Sequence, residues 1–118
     1  MTSMTTPALT TATRRAGLQL SADWLNATVV RISASGEIDA SNTAELLDFV
    51  LRRGANCRSL ILDLSDVTFF ATAGFSALQA IQLRSSRASV SWTLVDGPAV
   101  SRVLSICDPE RTLPRGIA

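Results

Sequence analysis

Few side chains in this 118-residue sequence could do chemistry, and their types exclude more than they permit. There is no histidine, so Ser–His and Cys–His nucleophile pairs cannot form, nor can a His-based metal site. Two thiols, Cys57 and Cys107, are too few for a disulfide framework or a four-thiolate zinc site. Hydroxyls remain. Thr72 stands two residues before Gly74, where an apolar-periodic stretch begins, and Ser76 and Gln79 follow it. A hydroxyl at such a helix entrance can accept from an early N–H, the N-cap role, and it can also carry a phosphate. A hydrolase built on Thr72 or Ser76 would lack both a histidine base and a nucleophile elbow, so the chain reads as a non-enzyme. Three carboxylates are placed suggestively. Glu37 and Asp39 flank Ile38 just before a helix start, and Asp63 interrupts an apolar run, where it reads as an acceptor for loop N–H groups.

Composition bounds the rest. Apolar residues are 47% and charged residues 18%, which fits one globular domain with a real core. The formal charge of +1 is no footprint for nucleic acid or anionic lipid. No apolar run approaches the roughly 20 residues of a membrane span, and Met1 to Ala16 lack the basic-then-apolar order of a secretion signal. The expectation is a cytoplasmic domain without membrane insertion.

The elements that must position these residues follow from periodicity. Residues 1–16, rich in Thr, read as a flexible tail ahead of a domain over residues 17–118. Leu18 to Leu25 alternates loosely and Thr28 to Ile32 is β-branched, so the two form an antiparallel hairpin turning at Asn26-Ala27. Asn42 with Glu45 three residues on is a capping box for a helix over about Thr43 to Arg53, closed by Gly54. Leu60 to Leu64 is nearly continuous apolar sequence, as in a central strand covered on both faces. A loop is expected from Ser65 to Ala71, then a helix from Thr72 to Leu83 with Gly74, Phe75, Ala77, Leu78 and Ile81 inward. Val90 to Val95 is a strand, and Pro98 sits in the first turn of a last helix that Pro109 stops. Glu110 to Ala118 gives no clear element. The order is ββαβαβα, an α/β fold whose mixed sheet opens with a hairpin and carries helices packed against it. If the later strands run parallel, Cys57 and Cys107 share one end of the sheet, where a redox pair is geometrically open. Unlinked thiols are the ordinary state in a reducing compartment.

The stretch Leu60-Ile-Leu-Asp-Leu-Ser-Asp-Val-Thr-Phe-Phe-Ala-Thr-Ala-Gly-Phe-Ser-Ala-Leu78 resembles the signature of STAS domains, and more narrowly of bacterial anti-sigma factor antagonists. Gly36-Glu37-Ile38-Asp39 matches a second family motif, Gly-Glu-Leu-Asp, ahead of the first helix. The resemblance covers about Gly17 to Asp108. Where the family has Asp-Ser-Ser-Gly, this chain has Ala71-Thr72-Ala73-Gly74, so Thr72 aligns with the phosphoacceptor serine and Ala71 replaces the aspartate. The resemblance implies a STAS-like fold and a protein that catalyses nothing and needs no cofactor. Its partner would be an anti-sigma factor that is also a serine/threonine kinase. The antagonist sequesters it, a sigma factor is released for transcription, phosphorylation at Thr72 breaks the complex, and a phosphatase restores it. Glu37 and Asp39 are then expected beside Thr72, in contact with the kinase. Ser76 and Gln79 are contacts by position on the exposed helix face, and Ala73 and Gly74 complete the partner-binding set, Gly74 also permitting close backbone approach. Two further roles stay open: a STAS subunit docking on an ATP-binding-cassette transporter, and a constitutive antagonist that is never phosphorylated.

Overall fold

The computed structural model describes residues 10–15, by their backbone alone, and residues 17–116. Alternation sets the first faces. In β2 (Leu18–Trp24), Leu18, Leu20 and Ala22 are buried while Gln19 and Asp23 are exposed. In β3 (Val29–Ile38), Val30, Ile32 and Ala34 are buried. The antiparallel register pairs Leu20 with Ala34 and Ala22 with Ile32, so the period of two gathers all six on one face. Asn26 makes the turn, its Oδ1 accepting from the N–H groups of Thr28 and Val29 at 2.9 and 3.0 Å.

A further strand precedes this hairpin. β1 (Thr10–Arg15) pairs antiparallel with β2, so residues 10–15 belong to the sheet and not to the tail expected over residues 1–16. Threonine suits a pleated surface, and the open edge of β2 supplies partners for the backbone groups. Residues 1–9 and 16 of that tail lie outside the described residues.

β4 (Ser59–Phe70) is the fourth of five strands in the order β1-β2-β3-β4-β5, parallel to β3 on one side and to β5 (Ser91–Val95) on the other. From Leu18 onward the element order is the expected ββαβαβα. The loop predicted from Ser65 to Ala71 is instead the second half of β4. Its polar residues looked loop-like, but β3 runs on to Ile38 and satisfies their backbone, with register shifts between Ser33 and Ser35 and between Gly36 and Glu37. Helices α1 (Thr43–Arg53) and α2 (Thr72–Arg87) each connect one parallel strand to the next in the same direction, and right-handed crossovers put both on one face of the sheet. They pack on each other, and α3 (Gly97–Cys107) packs on β4 and α2.

The core therefore lies on one side. Leu60, Leu62 and Leu64 of β4 are buried with Leu94 of β5, Leu46 and Val50 of α1, Leu78 and Ile81 of α2, and Val100 and Leu104 of α3. Each such side chain contributes roughly 1.5–3 kcal/mol by leaving water. The expectation that β4 is covered on both faces fails. Its other face carries a half-buried Ile61 and the carboxylate of Asp63, which accepts from the guanidinium of exposed Arg31 and from Ser65 Oγ and N–H at 2.6 and 3.0 Å. Asp63 is thus a structural acceptor, as its position suggested.

Beyond α3 the chain turns back along β5. Leu94 N–H donates to Pro114 C=O at 2.8 Å, and Gly116 N–H donates to Leu94 C=O at 2.7 Å. Buried Asp108 anchors the turn by accepting from Thr112 Oγ1, Thr112 N–H and Leu113 N–H at 2.6, 2.9 and 3.2 Å, with Arg115 nearby. Gln82 ties this segment to the sheet: it accepts from Trp92 Nε1 and donates to Thr112 C=O. The segment with no expected element thereby seals the β5 edge.

Candidate functional site

Parallel strands end at the same edge of a sheet, and this brings the candidate residues together. Glu37 pairs with Phe69 and Ile38 with Phe70 at the C-terminal ends of β3 and β4. Ala71 N–H donates to Ile38 C=O at 2.9 Å, so the Glu37–Asp39 segment and the start of α2 lie side by side. The bulge that allows this needs glycine. Gly36 has φ +98°, and a Cβ there would lie 2.1 Å from Gly17 O. Thr68 Oγ1 fastens the same spot by donating to Gly36 C=O at 3.1 Å.

Thr72 is exposed, but it does not cap α2. The N-cap residue is Ala71, extended at φ −83° and ψ 165° and lacking a side-chain acceptor, and Thr72 is the first helical residue. The reason is the sheet: Phe70 is still in β4 and Ala71 is held by Ile38, so helical backbone can begin only at Thr72. The early N–H groups of α2 therefore have no side-chain acceptor from the cap residue.

The Asn42 side-chain cap expected at α1 is corrected too. Asn42 occupies the N-cap position, but its side chain makes no cap hydrogen bond and turns back. Its Nδ2 donates to Glu37 C=O at 2.9 Å and its Oδ1 accepts from Asp39 N–H at 3.0 Å. Fully buried, it pins the Glu37–Asp39 segment to α1. Asp39 Oδ1 accepts from Ser41 Oγ at 2.6 Å and from Ser41 N–H at 2.9 Å, and these bonds hold its carboxyl below the usual carboxylate range. Glu37 is exposed, with its carboxylate toward Gly17, and Asp39 is half-buried; both lie on the segment whose backbone adjoins Ala71.

Along α2 the candidates separate by face. Thr72, Ser76 and Gln79, four and three residues apart, form one exposed stripe. Ala73 is half-buried beside it. Gly74 is buried, and a Cβ on it would lie 2.5 Å from two ring carbons of Phe70. Its close approach is to this ring, which leaves it little surface for a partner. Phe75 is half-buried, while Ala77, Leu78 and Ile81 enter the core.

One surface residue was missed. Phe69 is 52% exposed and pairs with Glu37, on the strand face opposite buried Phe70. The signal was in the sequence. Neighbours in a strand point to opposite faces, so one ring of the Phe69-Phe70 pair had to face away from the core. The two cysteines lie elsewhere and both are free: Cys57 is buried after α1, and Cys107 is half-buried at the end of α3. Burial pushes the Cys57 thiol above its usual range. Among the described residues no group of three or more His, Cys, Asp or Glu side chains could hold a metal ion, and no helix is long and apolar enough to cross a membrane.

A family model described as STAS domain matches residues 25–113. Over 74 residues the chain is 40% identical to Osmosensory protein A of Mycobacterium tuberculosis (strain ATCC 25618 / H37Rv). That match covers 63% of this chain and 46% of that protein, so the chain spans about half the length of its relative. In three dimensions it is similar to an anti-sigma factor antagonist from Mycobacterium paratuberculosis, with TM-score 0.70 and 24% identity over 95% of this chain and 89% of the other. It is also similar to the anti-sigma factor antagonist SpoIIAA in its unphosphorylated form, with TM-score 0.67 and 12% identity over 82% and 87%. At these identities the two structures share the fold.

Proposed function

The chain belongs to the STAS domain family, and on that premise we propose that it is a bacterial, cytoplasmic anti-sigma factor antagonist. In this reading it binds an anti-sigma factor with serine/threonine kinase activity and so releases a sigma factor for transcription. Phosphorylation at Thr72 ends the complex, a phosphatase renews it, and the antagonist itself catalyses nothing. The observation that carries this reading is an exposed Thr72 at an uncapped helix start, where the backbone of the Glu37–Asp39 segment adjoins Ala71.

The chemistry of the switch is local. A phosphate on Thr72 adds about −1.5 to −2 charges. The first N–H groups of α2 and the positive end of its dipole can accept that charge without refolding. The stripe of Thr72, Ser76 and Gln79 then changes from a surface that can be desolvated into one that holds its water. Glu37 and Asp39 add like charge. A loss of about 3 kcal/mol weakens binding more than a hundredfold. Gly74 acts here by holding α2 tight on Phe70, so that the stripe is presented rigidly, and half-buried Ala73 joins the docking surface beside it.

A second reading, the constitutive antagonist, is favoured by Ala71. The family's aspartate is absent there, and no carboxylate stands next to the acceptor in sequence. One experiment separates the two. The protein is incubated with ATP and the anti-sigma factor recovered from the native host by affinity pull-down. Phosphothreonine at Thr72, abolished by Thr72→Ala, together with a Thr72→Glu variant that binds over a hundredfold more weakly, supports the switch. Tight binding without label supports the constitutive form. A Thr72→Glu variant that binds at full strength excludes Thr72 as the switch. Recovery of a transporter's ATP-binding subunit alone would overturn the antagonist role.

A further inference from the structure

At the opposite end of α2 the molecule has a cleft that the switch does not use. α2 has 16 residues, so its two ends are about 24 Å apart. The cleft opens where α1 and α2 finish, and it has a volume of about 340 Å³. This is at the lower end of the roughly 300–1,000 Å³ usual for small-molecule sites. Its walls are aliphatic, made by Val50, Leu51, Leu60 and Val90, with the buried Cys57 among them. No aromatic ring is among its lining residues, so a nucleobase would find no stacking platform.

Polar groups gather on one side only. Arg84 and Arg87, both exposed, line the cleft, and neither has an acidic partner among the described residues. Ser85 lies between them in sequence. It is only 6% exposed, and it also lines the cleft. Both arginines also suit the end of a helix, where they offset the dipole, but that role does not explain the hollow beside them. Cys57, with its thiol held protonated by burial, belongs to the apolar wall.

We infer that this cleft binds an anionic amphiphile: an aliphatic tail of medium length against Val50, Leu51, Leu60 and Val90, and a carboxylate or phosphate head on Arg84, Arg87 and Ser85. Guanidinium is the group that best matches either head, through paired N–H donors. The tail is read by area alone, so its chemistry is set by the absence of polar or aromatic groups along the wall.

The cleft's own thiol reports occupancy. In a Cys107→Ser background, Cys57 is labelled with a thiol reagent in the presence of decanoate, decyl phosphate or decanol, with affinities measured by calorimetry. Decanoate or decyl phosphate slows the labelling, the tighter of the two identifying the head, and decanol is weaker. The double variant Arg84→Ala, Arg87→Ala weakens binding of the preferred anion by about tenfold or more, leaves decanol unchanged, and labels at the parental rate without ligand. Failure of all three compounds to protect Cys57 overturns the site. Protection equal for decanol and the anions, or undiminished in the double variant, overturns the assignment of the head. Thr72→Glu binds decanoate as the parent does, which keeps this test separate from the switch.

Discussion

At Gly74 the absence of a side chain lets α2 sit on the ring of Phe70, and at Phe69 the next ring along β4 is left to the solvent. These neighbours predict opposite phenotypes. Gly74→Ala must push the Phe70 ring aside. It should destabilise the fold by about 1–3 kcal/mol in urea denaturation, with partner binding lost only as far as folding is lost. Phe69→Ala removes exposed surface and should leave the urea midpoint nearly unchanged. If Phe69 anchors the docked partner, affinity falls by about tenfold or more in titration calorimetry. Thr72 shows how far single residues were legible. Its place before Gly74 at a helix entrance marked the candidate, and its exposure agrees. Its capping role was misread because the cap position depends on where β4 lets go, and that is set by the pairing with Ile38.

Among elements, α1 was readable to its ends because Asn42 ahead of it and Gly54 behind it bracket Thr43 to Arg53. The second half of β4 was not, because Ser65, Asp66 and Thr68 are loop-like by composition and become strand only through the extension of β3. The turn after α3 was equally opaque, since its order comes from one buried carboxylate. At Asp108, burial raises the carboxyl pKa. Bonds from Thr112 Oγ1, Thr112 N–H and Leu113 N–H, with the charge of Arg115, outweigh that and bring it below the usual range. At Asp63 burial is likewise outweighed, by Ser65 and Arg31. A pKa lowered by folding means stability present above the unfolded value and lost as pH falls through the folded one. Urea unfolding followed downward from neutral pH should therefore show stability falling below about pH 4. Asp108→Asn should be less stable at pH 7, by about 1–3 kcal/mol, and should lose less on acidification than the parent.

For the whole molecule, the strand and helix order from Leu18 onward was legible from hydrophobic period, while the one-sided core was not. An apolar run such as Leu60 to Leu64 looks the same whether one face or both are covered, and only the Arg31–Asp63 pair marks the open side. The five-stranded order makes β3 and β4 central and β1 an edge. Amide hydrogen exchange should be slowest at residues 30–34 and 60–64 and fastest in β1, a gradient that a tail over residues 10–15 would replace with no protection there at all.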